Sequence, residues 1–256
     1  MIPLFKSNHS ILKSILTIDP PNKNYDPAKS DSIFDIAIEN NLDEIFLVED
    51  TLSSLLPAFS ESAKIGKKLC FGYRVSFVSD SSDKTDESIN TSHKGIIVPK
   101  NEKGYHELIK LGTLAAFDNF YKGARLSYQD LHNSWSDNLK LAIPFYDSFL
   151  HMNLLHGGFC VPDFRDIKPT VFIESNQLPF DYILEEASLK YAEDNNLPVE
   201  MVKSIYYKNR EDFEAYTTFK CLNRKAFGAG RTLDNPGFDH LSSREFSWES
   251  YLENTK

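Results

Sequence analysis

Short apolar runs alternate with amphipathic stretches along most of the chain, the pattern expected of βα units. Residues 32–41 predict a helix, apolar at Ile33, Phe34, Ala37 and Ile38, and residues 44–48 a buried strand. A second helix is expected over 52–65, closed by Gly66, and a strand over 69–78. Residues 79–92 are rich in Ser, Asp and Thr and predict a polar loop excursion, a hairpin between strands. A strand over 95–99 leads to a helix over 104–120, with Leu108, Leu111, Leu114 and Ala115 on one side. Asp130-Leu131-His132 lies near the start of another short segment. Strands are expected over 139–144, 170–174 and 199–207, and helices over 148–156, 181–195 and 211–223. A loop around Gly228-Ala229-Gly230 and a short helix near Trp248 end the chain. No linker composition and no fixed-period repeat interrupts this series. The expected architecture is therefore one α/β domain over residues 1–256, a barrel of about six or seven strands.

Composition narrows the function classes. The 256-residue chain carries a net charge of −9, with 41% hydrophobic and 25% charged residues, as a globular domain does. Its longest apolar runs fall short of a membrane span, and mean hydropathy is −0.38. The N-terminus lacks a basic region followed by a long apolar run, so a cytoplasmic location is expected. Cys70, Cys160 and Cys221 are far apart with no CxxC, the pattern of reduced thiols rather than a disulfide frame or zinc knuckle. The acidic balance disfavours independent binding to a nucleic-acid backbone. The basic groups Lys64, Lys67 and Lys68, and Arg224, Lys225 and Arg231, are modest and read equally well as solvated helix ends. No GxSxG, Walker loop or GxGxxG occurs.

Five segments, in order, carry a more specific signal. Asn101-Glu102-Lys103-Gly104-Tyr105, continuing to Leu108, Lys110 and Leu111, resembles an N-x-x-G-Y-x-N-L-x-K-L stretch. Asn8-His9-Ser10 resembles the end of a His-rich first strand, and residues 46–51 with 68–75 a T-D-H…G-x-x-P-I-x-G-x-E region. Residues 205–216 resemble D-V-H-Y-x-N-x-E-D-x-E-A-H, and His240 to Phe246 a closing segment. Together these resemble the PHP (polymerase and histidinol phosphatase) domain at the N-terminus of the bacterial DNA polymerase III alpha subunit. The resemblance covers nearly the whole chain and implies a distorted seven-stranded, TIM-like βα barrel, with residues 224–256 as its closing segment. With nothing after residue 256, the chain is expected not to act as a polymerase by itself.

The family's chemistry uses two or three divalent ions at the C-terminal mouth of the barrel, held by His, Asp, Glu and sometimes Cys. Carried over by position, those ligands are mostly replaced. The His-x-His-x-His strand becomes Phe5, Ser7 and His9, and the Asp-His pair becomes Asp50 and Thr51. The strand-end Glu becomes Arg74, and the next His becomes Lys94, with His93 one residue away and so on the opposite face of a strand. The fifth-strand Cys falls near Phe145, the final Asp-x-His becomes Ser204 and Tyr206, and a helix His becomes Tyr216. Neither catalytic residues nor a metal cluster is expected, because Phe, Thr and Tyr are poor ligands and Arg or Lys repels a cation. His9, Asp50 and His93 remain as residual candidates.

The resemblance implies a catalytically degenerate barrel acting as a structural or regulatory partner of a replicative DNA polymerase or another replication protein. Residue usage rich in Lys, Asn, Ile and Ser is compatible with a phage gene. The alternative is a phosphoesterase or 3′–5′ exonuclease that uses Mn, Zn or Mg on a rearranged site of His9, Asp50, His93 and Glu174. A third reading, single-strand binding, would draw on the aromatics Phe145, Tyr146, Phe149, Tyr206, Tyr207 and Tyr216. Packing of those rings is the simpler expectation. Surface placement is expected for His106 and His132, and cap or surface roles for His151 and His156.

Overall fold

The structure, a computed structural model, describes residues 1–7, 15–21, 30–222 and 243–255. The first elements are β1 (Ile2–Phe5), β2 (Leu16–Thr17), β3 (Asp31–Ser32), α1 (Ile33–Glu39), β4 (Glu44–Glu49) and α2 (Leu55–Lys64). The middle of the chain forms β5 (Lys68–Val78), α3 (Asp86–Asn90), β6 (His93–Pro99), α4 (Glu102–Ala116), β7 (Arg125–Ser127) and α5 (Tyr128–Ser134). It continues through β8 (Leu139–Ile143), α6 (Phe149–Leu155), β9 (Thr170–Ile173), α7 (Asp181–Asp194), β10 (Val199–Ile205), α8 (Phe213–Leu222) and α9 (Trp248–Asn254).

Seven strands close a ring in the order β4-β1-β10-β9-β8-β6-β5, and the β5–β4 pairing from Glu44↔Lys68 to Glu49↔Tyr73 shuts it. All neighbours are parallel except β6, which runs antiparallel to β5 and β8. The ring is therefore a closed barrel in a mixed α/β chain, consistent with a TIM-like fold. β7 lies outside it, paired with the upper end of β5 from Ser76 to Val78. Because β6 is reversed, its first residues sit beside the C-terminal ends of the other six strands.

Side-chain alternation sorts the core into layers. Leu4, Ile96, Ala142, Phe172 and Val202 fill the barrel interior, with Phe46, Val48 and Val98 against them. At Gly72 a Cβ would stand 2.8 Å from Ile96 Cγ2 and 3.2 Å from Val48 Cγ2, so this level has no room for a side chain. Outside the ring, Ile33 and Ile36 of α1, Leu55 and Ala58 of α2, and Leu108 and Leu111 of α4 bury their apolar stripes.

Several expectations are corrected. Residues 79–92 do connect an antiparallel pair, but they contain α3, capped by the Thr85 hydroxyl, and are not loop throughout. β1, β2, β3 and β7 are too short for a periodicity to show. On α1 the buried position is Ile36, while Ile38 is 42% exposed. His151 is buried, not on the surface, and His132 is half-buried, 3.6 Å from Asp163. His156 is the C-cap residue of α6 and is followed by Gly157 at φ 63°. His9, Arg224, Lys225, Gly228-Ala229-Gly230, Arg231 and His240 lie outside the described residues.

Candidate functional site at the barrel mouth

The C-terminal mouth gathers charge from nearly every strand. Lys6 follows β1, Asp50 follows β4, Arg74 rises from β5 and Lys94 opens β6. Asp147 follows β8, Glu174 follows β9, Ser204 lies at the end of β10 and Tyr206 just after it. Lys6 pairs with Asp50, whose other oxygen accepts from Arg74 Nη1 at 3.1 Å. The second arm of the Arg74 guanidinium pairs with Asp147. One arginine thus joins two carboxylates across the mouth, using its planar fork.

The surroundings fix this arrangement. Asp147 adopts φ 59°, a left-handed conformation that Asp tolerates at some cost, and its carbonyl accepts the Lys94 backbone N–H at 2.7 Å. Burial pushes the Asp50 carboxyl up, but Arg74, Lys6 and Lys94 outweigh it and hold the group well below the ordinary carboxylate value. Burial, then the nearby Arg74, pushes the Lys94 ammonium down to about 8. Its Nζ donates to Ser76 Oγ at 2.8 Å.

On the far wall Glu174 is buried, and burial raises its pKa against the hydrogen bonds that it accepts. Those come from Ser204 N at 2.8 Å, Ser204 Oγ at 3.0 Å and Asn176 Nδ2 at 3.0 Å. Asn176 Nδ2 also donates to Tyr146 Oη at 3.1 Å, Tyr146 donates to Asp181 at 2.9 Å, and Lys203 Nζ donates to Asn176 Oδ1 at 3.0 Å. The space left between the walls is a cavity of about 40 Å³. That is room for a few waters.

Among the described residues, Lys6, Arg74 and Lys94 face Asp50, Asp147 and Glu174, so the mouth carries balancing charges from the chain itself. A divalent cluster needs several anionic or imidazole ligands converging on one point. Here Asp50 and Asp147 converge on a guanidinium instead, and the described donor set does not fit such a cluster. Among the described residues no group of three His, Cys, Asp or Glu side chains is placed to hold a metal ion.

Other residues singled out by sequence are dispersed. Phe5 is fully buried and stacks on Trp248 with centroids 5.5 Å apart, so it is Lys6 whose charge enters the mouth. Ser7 donates its backbone N–H to the buried Glu49 carboxylate at 2.8 Å. Thr51 is exposed and bonds Ser53. His93 faces away from Asp50, stacked on Phe77 at 5.8 Å and hydrogen-bonded to the Tyr128 hydroxyl. Asp50 and His93 are therefore not brought together, against the rearranged-site alternative. Phe145, Tyr146, Phe149, Tyr207 and Tyr216 are all buried, and Tyr206 stacks on Tyr216 at 5.3 Å. These rings are packing, the simpler expectation, which leaves the single-strand reading without an exposed aromatic face. Lys6 and Asp147 escaped the sequence reading. The signal that marks them is position alone, just past a barrel strand's C-terminal end.

No family model matches the chain. Two curated proteins are similar to it. The similarity is to a DNA polymerase subunit. The DNA polymerase III subunit alpha of Borreliella burgdorferi is 24% identical over 242 residues, covering 88% of this chain and 20% of that protein. The subunit of the same name from Aquifex aeolicus is 24% identical over 187 residues, 67% of this chain and 16% of that protein. The chain thus spans about a fifth of the length of the relatives that it matches. Among its described residues no helix is long and apolar enough to cross a membrane.

Proposed function

We propose that this chain is a catalytically degenerate PHP-like barrel that serves as a structural or regulatory partner of a replicative DNA polymerase. The observation that carries the reading is Arg74 held between Asp50 and Asp147. A fixed cation occupies the place where the PHP resemblance puts a metal ligand, and the ion pairs lock the strand ends that metals would otherwise join. Similarity to the polymerase III alpha subunit over most of the chain supplies the replication context. Lys94, Ser204, Tyr206 and Tyr216 stand on this reading at former ligand positions that now serve packing and hydrogen bonding. Cofactors are not part of it, nor is strong direct binding to nucleic acid.

Affinity purification of the tagged chain from its own cells tests the proposal. Recovery of the catalytic subunit of the replicative polymerase, reduced when the barrel is destabilised, is the expected result. A soluble, folded bait that recovers no replication protein overturns it.

A further inference from the structure

A second cavity, of about 210 Å³, lies beside the mouth, between the β5–β6 hairpin and the turn before β7. Its walls carry Lys94, Lys122 and Arg125, the hydroxyls of Ser76, Ser88 and Ser92, and no carboxylate. In a chain of net charge −9 this is a local reversal of sign.

Arg125 makes the case specific. It is 3% exposed, and it donates to Asn119 O at 2.9 Å, Ser88 Oγ at 3.0 Å and Ser81 O at 2.9 Å. All three acceptors are neutral, and among the described residues no carboxylate lies within ion-pair distance of it. A guanidinium has five N–H donors, so three are engaged by the fold. Burying a charge without a counter-charge is costly, and a structure that holds one is poised to accept an anion. Lys94 adds an ammonium that donates to the neutral Ser76 Oγ, with Asp50 and Asp147 on its mouth side. At the rim Lys122 pairs with the exposed Asp86, and Arg125 lies 5.1 Å from the Tyr121 ring centroid. Asp80, whose carboxyl Arg125 influences, is exposed and accepts from the Ser82 backbone and hydroxyl at 2.8 and 2.7 Å.

We propose that this cavity binds the phosphate group of a small phosphate monoester. The anion is held by Arg125 and Lys94, with the Ser76 hydroxyl as a further donor and Lys122 at the entrance. Charge-assisted hydrogen bonds to phosphate from two cations and a hydroxyl are the recognition that such a lining provides. Lys94 stands on the wall shared with the carboxylate-rich mouth, Arg125 and Lys122 lie away from it, and the proposal does not depend on the polymerase reading.

Calorimetric titration of the intact chain with deoxyadenosine monophosphate, inorganic phosphate and adenosine tests it. Both phosphates are expected to bind and adenosine is not. Equal affinity for the two phosphates assigns the site to the phosphate group alone, and tighter binding of the nucleotide adds a contact at Tyr121. Lys94→Met is expected to weaken binding roughly tenfold, the effect of one charge-assisted bond. Lys122→Ala, at an exposed position whose ion pair with Asp86 is also at the surface, is expected to weaken it severalfold. Absence of phosphate binding overturns the proposal. So does binding that survives Lys122→Ala unchanged but is lost in Lys6→Met, which would place the anion at the barrel mouth.

Discussion

Replacing Arg74 by glutamine would leave Asp50 and Asp147 facing each other with Lys6 and Lys94 as the nearby cations. Removing one partner of a buried charge pair is strongly destabilising. These carboxylates are 43% and 42% exposed, so a loss of about 2 kcal/mol is expected in denaturant unfolding. The same variant should gain thermal stability from millimolar Mn²⁺, whereas the wild type does not, because only the variant releases the two carboxylates from the guanidinium between them. His93 makes a separate prediction. Burial pushes its pKa down to about 4, so the folded chain holds it neutral where the unfolded chain protonates. The associated stability is full above about pH 6.5 and is lost as pH falls toward 4, about 3 kcal/mol in all. Urea midpoints across that window should slope less in His93→Gln. At this scale the sequence was informative where strands were long: the side-chain faces of Arg74, Lys94 and His93 follow from alternation. Lys6 was illegible because β1 has only four residues, Pro3 among them, and Asp147 because its role comes from a backbone turn at φ 59°.

The motif around Asn101 owes its pattern to helix α4. The Asn101 side chain accepts the Gly104 N–H at 2.9 Å and caps the helix, and a Cβ on Gly104 would stand 2.3 Å from the backbone carbonyl oxygen of Asn138. That oxygen in turn accepts the Lys100 N–H at 2.8 Å, which joins the end of β6 to the start of β8. Asn101→Ala should cost about 1 kcal/mol, the usual value of a cap. Gly104→Ala forces backbone to move and should cost about 1–3 kcal/mol. Both are read from chemical unfolding midpoints. The long amphipathic helices and the apolar strands were legible because burial imposes their periods. The three-residue β7 and the polar five-residue α3 were not, because their form comes from pairing with β5 and from the Thr85 cap.

Across the whole molecule the barrel closes through the β4–β5 ladder, its interior is filled by side chains, and its mouth is bridged by ion pairs. On the function proposed above, these ion pairs take the place of metals in holding the strand ends together. Six of the seven ring strands were legible from the alternation of elements, β1 being too short to show. The ring's closure and the reversal of β6 were not, since pairing order is a tertiary property. The most direct test of the central claim is the metal content of the chain purified without chelator from medium supplemented with Mn²⁺ and Zn²⁺. Elemental analysis should find well below one equivalent of either metal per chain, unchanged in Asp50→Ala. A stoichiometric metal that disappears in Asp50→Ala would contradict the account.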